Sequence, residues 1–207
     1  MNDHVSLKCS CGKFRGRINL AGMSSKRAVC LCDDCQAFAH QLGRAKEVLD
    51  ANGGTDIYPC YPSHLEFTQG ADQVKCLRLS PKGLLRWYAG CCKTPIANSP
   101  PSSRMPYVGV VHTIMDHAAD ATTHEEAIGP VHMRIQGKFG IGPLPPGTDQ
   151  KVSLPAILVV LRFLTSGWLR RKQQPSPFFD SKGQMRVTPY VLTRDERVSL
   201  RKLCGPA

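Results

Sequence analysis

The sequence predicts a mainly β protein: an antiparallel, zinc-binding β core followed by a helical C-terminal extension. Three observations predict it. Short β-prone runs recur between glycine-containing turns, the pattern of an antiparallel sheet protein. Seven of the ten cysteines fall in three tight clusters. After a break rich in proline and glycine, the chain ends in an apolar segment of helical period and a basic tail.

Taken in order, residues 6–20 alternate loosely, with Leu7, Phe14 and Ile18 among polar neighbours and Gly12 and Gly16 as turn points. A hairpin with Cys9 and Cys11 at its tip fits this pattern. Ala28-Val29 leads into the loop Cys30-Leu-Cys32-Asp-Asp-Cys35, and a short helix is expected around residues 36–43. Gly53-Gly54 marks a turn. Residues 64–68 and 74–79 read as strands on either side of a Gln-Gly-Ala-Asp turn, and residues 84–88 as a strand running into Cys91-Cys92. Residues 107–114 and 131–135 are the last β-prone runs. Three prolines and two glycines in Ile141-Gly-Pro-Leu-Pro-Pro-Gly-Thr can continue neither a helix nor a central strand. They divide the chain into a zinc-binding β domain over 1–142 and a basic, partly helical extension over 150–207 packed on it.

In the extension, Ser153 can cap a helix starting at Leu154-Pro155, where proline is tolerated. Leu154, Ile157, Leu158, Leu161, Leu164 and Trp168 recur at helical spacing, and Val159, Val160 and Phe163 lie on the other side. Pro155, Arg162 and Gly167 make the segment a poor membrane span. A buried packing helix is the first expectation, with an interfacial membrane helix or a dimer contact as alternatives. The net charge of +11 is concentrated here: from Lys151 onward eleven Lys and Arg face three acids, a local +8. A solvated basic face accounts for this; an acidic partner or a membrane surface is the alternative, and nucleic acid is not expected.

The N-terminus carries no apolar run of the secretory kind. Ten cysteines without such a signal point to a reducing cytoplasm, where clustered thiols serve as metal ligands rather than disulfides. Zinc takes four ligands at tetrahedral corners, and short C-x-C or C-x-x-C turns deliver two sulfurs from one stretch of backbone. The candidate ligands are Cys9, Cys11, Cys30, Cys32, Cys35, Cys91 and Cys92, for one or two Zn²⁺ per chain. Cys30, Cys32 and Cys35 bring three sulfurs from one loop, which leaves room for an open fourth position of the kind that distinguishes a catalytic zinc from a structural one.

These clusters, in this order and spacing, resemble the glutathione-dependent formaldehyde-activating enzyme family. The matching pieces are Cys9-Ser-Cys11-Gly12, Cys30-Leu-Cys32-Asp-Asp-Cys35 and Arg86-Trp-Tyr-Ala-Gly-Cys-Cys-Lys-Thr-Pro95, with the Gly53-Gly54 turn and Phe67-Thr-Gln-Gly70 also in place. The likeness covers about residues 7–140. It implies a β-tent fold, two antiparallel sheets pinned by zinc. It further implies a structural zinc on Cys9, Cys11 and Cys92 and a catalytic zinc on Cys30, Cys32 and Cys35. The implied activity is of carbon–sulfur lyase type, adding a zinc-bound thiol such as glutathione to an aldehyde.

The last motif departs from the family. A C-x-x-C is expected, but Ala89-Gly90-Cys91-Cys92 stands there, and Lys93 replaces a glycine. Three arrangements are open. Neighbouring residues in extended backbone face opposite ways, which would send Cys91 to the Cys30 loop and close it. A tight turn would instead let both cysteines join Cys9 and Cys11. Otherwise the first site is lost.

The remaining groups carry weaker signals. Cys60, Cys76 and Cys204 read as small buried hydrophobes. Asp33 and Asp34 read as solvated loop acids, with a proton relay as the alternative. His40 and His64 are spare ligands, His112, His117, His124 and His132 are scattered, and Arg86, Trp87 and Tyr88 are a candidate carboxylate-binding wall. Two functions follow: a zinc-dependent lyase-like protein taking a small thiol, or a non-catalytic zinc module whose basic tail meets a partner or membrane. A redox pair at Cys32 and Cys35 is disfavoured, because the carboxylates between them raise thiol pKa values.

Overall fold

Apolar residues every second position in Val5-Ser-Leu7 and Gly16-Arg-Ile18 build a hairpin of β1 (His4–Lys8) and β2 (Arg15–Asn19). Its inner face carries Val5, Leu7 and Ile18 into the core. β5 (Leu65–Gln69) adds to β2, giving a three-stranded antiparallel sheet. The computed structural model describes residues 3–23 and 26–206, so residues 1, 2, 24, 25 and 207 of the expected ranges lie outside the described residues.

The second sheet contains β3 (Ala28–Cys30), β4 (Thr55–Cys60), β6 (Val74–Arg78), β7 (Leu85–Ala89), β8 (Thr94–Ser99), β9 (Val108–Val111), β10 (Met133–Ile135) and β11 (Tyr190–Val191). Their order is β10-β3-β4-β9-β8-β7-β6-β11. Six central strands pair antiparallel, as expected, but both edges differ: β10 runs parallel to β3, and β11 parallel to β6. The sheet is therefore mixed. Long connections carry the chain to both edges, which hairpin loops cannot do. β4 and β8 were not expected, since each contains a proline. Pro59 lies past the end of β3, and Pro95 sits opposite Tyr88, where the β7–β8 register shifts. At both places a missing ladder donor is tolerated.

Among the described residues five α-helices complete the fold: α1 (Asp33–Gln41), α2 (Ala45–Val48), α3 (His124–Ile128), α4 (Leu154–Leu169) and α5 (Arg194–Arg201). The extension helps to build the core. Phe178, wholly buried, stacks on Trp87 with ring centroids 4.3 Å apart, while Trp87 Nε1 donates to Ser99 Oγ at 2.9 Å. Burying one such ring stabilises by about 2–3 kcal/mol.

α4 departs from the buried packing helix. It touches the sheet along one side: a Cβ at Gly167 would come within 2.7 Å of Pro106 and Tyr61, so glycine there permits the close approach. Tyr61 stacks on Phe163 at 4.3 Å, and Trp168 Nε1 donates to the Arg104 carbonyl at 2.8 Å. On the outer side, Leu154, Leu158 and Leu169 are 76%, 60% and 86% exposed. A helix that is apolar all round packs one face and leaves the other in solvent. Among the described residues no helix is long and apolar enough to cross a membrane.

One ionic cluster fixes the strand that leads to Cys30. Arg27 Nε donates to both Asp56 oxygens at 2.9–3.0 Å, and Arg27 Nη1 to the Gly129 carbonyl at 2.9 Å. His124 Nε2 lies 3.2 Å from Asp56. Burial would raise the Asp56 pKa, but the bonds to His124 and Arg27 outweigh it and hold the carboxyl at about 2 against an ordinary 3.8. A depressed pKa contributes stability above pH 4 that is lost as pH falls from about 4 towards 2. Asp56→Asn is expected to cost about 2 kcal/mol at neutral pH and to flatten that acid limb, read from urea unfolding midpoints at a series of pH values.

Candidate metal centres

The first centre forms where two hairpin tips meet. Between β1 and β2 the chain turns through Cys9–Gly12, with the Gly12 amide donating to the Cys9 carbonyl at 2.9 Å. Between β7 and β8 it turns through Gly90–Lys93, with the Lys93 amide donating to the Ala89 carbonyl at 2.7 Å. Lys93 takes φ +59°, a left-handed conformation that glycine adopts without steric cost. This turn curls Cys91 and Cys92 towards the same point.

There the Sγ atoms of Cys9, Cys11, Cys91 and Cys92 all lie within 4.8 Å of one another. The individual separations are 3.6 Å for Cys9–Cys11, 3.8 Å for Cys9–Cys91, 3.3 Å for Cys11–Cys91 and 3.8 Å for Cys91–Cys92. A Zn–S bond of about 2.3 Å puts tetrahedral sulfurs about 3.8 Å apart, so the set has the dimensions of a four-thiolate site. Cys91 thus belongs to the first cluster and not to the Cys30 loop: a turn, unlike a strand, can aim adjacent side chains the same way. Supporting contacts surround the sulfurs. The Phe14 amide donates to Cys9 Sγ at 3.3 Å, and Thr94 Oγ1 lies 3.1 Å from Cys92 Sγ and 3.2 Å from Ser10 Oγ. Burial works against ionisation of Cys92, yet the Ser10 and Thr94 bonds bring its thiol down to about 5.

The second centre is formed by Cys30, Cys32 and Cys35, whose sulfurs also lie within 4.8 Å of one another. Cys30 ends β3, and Cys32 caps α1, its Sγ accepting from the Cys35 amide at 3.4 Å. The helix N-terminus therefore faces the sulfurs with its positive end, while hydrogen bonds within the cluster and burial raise the Cys30 and Cys32 thiols. Hydrogen bonds from Cys30 and Cys32, helped by the Arg86 guanidinium, hold Cys35 well below the ordinary thiol range. The arrangement offers three corners of a tetrahedron from one loop.

Arg86 is the functional residue whose role the sequence did not reveal. It is 2% exposed, and Nη1 donates to Cys35 Sγ at 3.5 Å. Its Nη2 lies 3.9 Å from Asp34 and its guanidinium 5.8 Å from the Phe38 ring centre. It is thus the buried counter-charge of the thiolate loop, not an open wall for carboxylates. Trp87 is core, and Tyr88 is half-buried. A basic residue at an inward strand position was the available signal, but its partner lies 51 residues away.

Other contacts lock the loop in place. Gln36, fully buried, donates through Nε2 to the carbonyls of Leu31 (2.8 Å) and Phe139 (2.9 Å) and accepts from the Gly205 amide at 2.8 Å. Asp33 is paired with Arg201 of α5, and Cys204 Sγ donates to the Asp33 carbonyl at 3.5 Å. Asp33 is therefore engaged in an ion pair, while Asp34 stays half-exposed, 3.9 Å from Arg86. Cys60 and Cys76 are buried, as expected of small hydrophobes, while Cys204 is half-buried. No histidine joins either cluster among the described residues. His64 Nδ1 meets the Asn19 carbonyl at 2.9 Å, and His117 and His124 pair at 2.6 Å beside Asp56.

The fold and these centres define a mixed, mainly β protein with two cysteine clusters that can hold metal ions. Residues 1–188 match the family described as Family of unknown function (DUF6151), and the chain belongs to that family. No curated protein matches the chain. The chain is also similar to a Rhodobacter sphaeroides protein of known crystal structure, at 17% identity and a TM-score of 0.36, over 54% of this chain and 87% of that one.

Arg86→Met keeps the bulk of the side chain and removes the positive charge. It is expected to weaken metal binding at Cys30, Cys32 and Cys35 by about 10- to 100-fold while leaving the four-cysteine centre intact, as measured by competition with a chromogenic chelator.

Proposed function

We propose that this chain is a two-zinc protein of β-tent type, with a structural ion on Cys9, Cys11, Cys91 and Cys92 and a reactive, thiol-accepting ion on Cys30, Cys32 and Cys35. The observation that carries the reading is the sulfur spacing of the first cluster, which is that of a zinc tetrathiolate, beside a second cluster of three. Four thiolates so close repel one another, and a cation resolves the repulsion. Zinc on the second cluster would supply a Lewis acid that keeps a fourth sulfur ligand as thiolate at neutral pH. The chemistry that fits is of carbon–sulfur lyase type, the reversible joining of a small thiol and an aldehyde.

The surrounding residues support an anionic thiol such as glutathione. Beside the loop lies a cleft of about 290 Å³, lined by Asp33, Asp34 and by Arg194, Arg197 and Arg201 of α5. Arginines at spacings of three and four share one face of a helix, and a guanidinium matches a carboxylate in two-pronged fashion. Arg86 offsets part of the loop's negative charge, which three thiolates would otherwise impose on an incoming anion.

Metal analysis of the purified chain is expected to find about two zinc per chain, falling to about one in a Cys9→Ser/Cys91→Ser variant. Glutathione added to the cobalt-substituted protein is expected to shift the visible d–d bands as a fourth sulfur joins the three-cysteine centre. Spectra unchanged at millimolar glutathione would overturn the thiol reading.

A second reading, a zinc module that docks on a membrane, is favoured by α4. Leu154, Leu158, Leu161 and Leu169 expose an apolar stripe about 24 Å long, closed by Arg170, Arg171 and Lys172. The cationic end suits an anionic bilayer surface and opposes a second copy of a chain carrying +11. The chain is expected to sediment with phosphatidylglycerol vesicles and not with phosphatidylcholine vesicles, and Leu158→Glu/Leu161→Glu to remain in the supernatant. Equal sedimentation of the variant, or of the chain with neutral vesicles, excludes this reading.

A further inference from the structure

Between the inner side of α4 and the sheet edge lies a second cleft, of about 420 Å³. Its walls are mostly apolar: Tyr61 and Tyr107 from the sheet side, Ile135 from β10, and Val159 and Phe163 from α4. Its polar charge is of one sign, since Lys26, Arg162 and Arg170 line it and, among the described residues, no acid does so. Glycine at two positions shapes the space. Gly167 lets the C-terminal half of α4 press against Pro106 and Tyr61. At Gly109 a Cβ would come within 2.7 Å of Ile57 Cγ2 and 2.9 Å of the Tyr107 hydroxyl, so glycine gives both side chains room.

The lower end of the cleft approaches the second cysteine centre. Ala28 lines it, and Cys30 lies two residues further on the same face of β3. Ile135, which pairs in register with Cys30, is also a wall. Among the described residues no cysteine lines the cleft, so occupancy does not require metal.

We propose that this cleft between α4 and the β3–β10 edge is a binding site for an apolar carboxylate, a medium-chain fatty acid or an aryl acid of similar length. The aromatic and aliphatic walls take the body of the molecule, and the arginines of α4 take the carboxylate. Three features set the class. The volume lies in the range of small-molecule sites, about 300–1,000 Å³. Apolar lining with a few polar groups at one side selects an amphiphile over a sugar or nucleotide. Two guanidiniums and one ammonium without a lining acid select an anion over an amine. This site lies outside the cysteine chemistry and stands whether or not that chemistry is confirmed.

Isothermal titration of the purified chain with octanoate tests it, with octylamine and octanol as matched probes. Octanoate is expected to bind saturably at one site per chain, and the amine and alcohol at least about tenfold more weakly, the difference a charge-assisted pair makes. Val159→Trp fills the cleft and is expected to abolish binding. Arg162 and Arg170 are exposed, so Arg162→Gln/Arg170→Gln leaves the packing in place and is expected to erase the preference for the acid while octanol still binds. No saturable octanoate binding, equal affinity for octylamine, or unchanged affinity in the folded arginine variant would overturn the proposal.

Discussion

The convergence of four sulfurs at the meeting of two hairpin tips is the constraint on which the rest of the architecture hangs. Cys9 and Cys11 belong to the three-stranded sheet; Cys91 and Cys92 belong to the eight-stranded one. Hydrogen bonds from the Ser10 amide to Thr94 Oγ1 and from Thr94 Oγ1 to Ser10 Oγ join the same two tips. The apolar core beneath them, around Phe14, Trp87 and Phe178, favours any close packing of the sheets, because burial is not directional. Ligands at tetrahedral corners admit one relative placement. A cation shared by the four thiols would make that placement part of the folding free energy rather than a consequence of it.

The second centre is held by different means. Its three sulfurs come from six consecutive residues, from the end of β3 to the first turn of α1, so local geometry gathers them, and the rest of the molecule sets their electrostatics. Arg86 comes from β7, in the middle of the large sheet, and the N-terminal turn of α1 faces the same sulfurs. Gln36 and Asp33 then tie the loop to the segment around Phe139 and to the C-terminal helix. The extension therefore acts on the loop from one side, while its Phe178 fills the core on the other. Basic charge concentrated after residue 150 acquires a place as well: part of it lies on α5 beside Asp33 and Asp34, and part on α4 around the apolar cleft.

Much of this was legible in the sequence. The hairpin at Cys9, the strands leading to Cys91 and the helix starting at Leu154 carry local signals, and local signals survive without tertiary context; the short helix expected over 36–43 starts earlier, at Asp33, and the Ser153 side chain makes no capping bond. The strands β4 and β8 did not, because Pro59 and Pro95 contradict a strand until their neighbours are known. The edge strands β10 and β11 are parallel, and no local pattern distinguishes a parallel edge from an antiparallel one. The burial of α4 was also misread. Its composition is apolar on every side, but only docking decides which side finds a partner.

By itself the sequence determined that the chain carries seven cysteines in three clusters, with spacings suited to thiolate metal ligation. Two short loops can each present their sulfurs together, because neighbouring residues cannot move far apart. Only the tertiary structure decided how the clusters combine. Cys91 joined Cys9 and Cys11 because the left-handed turn at Lys93 curls its side chain out of the strand alternation that would have sent it towards Cys30. Arg86 became the counter-charge of Cys35 for the same kind of reason. Which face of a strand meets which loop is set by sheet register and packing, and those are properties of the whole chain.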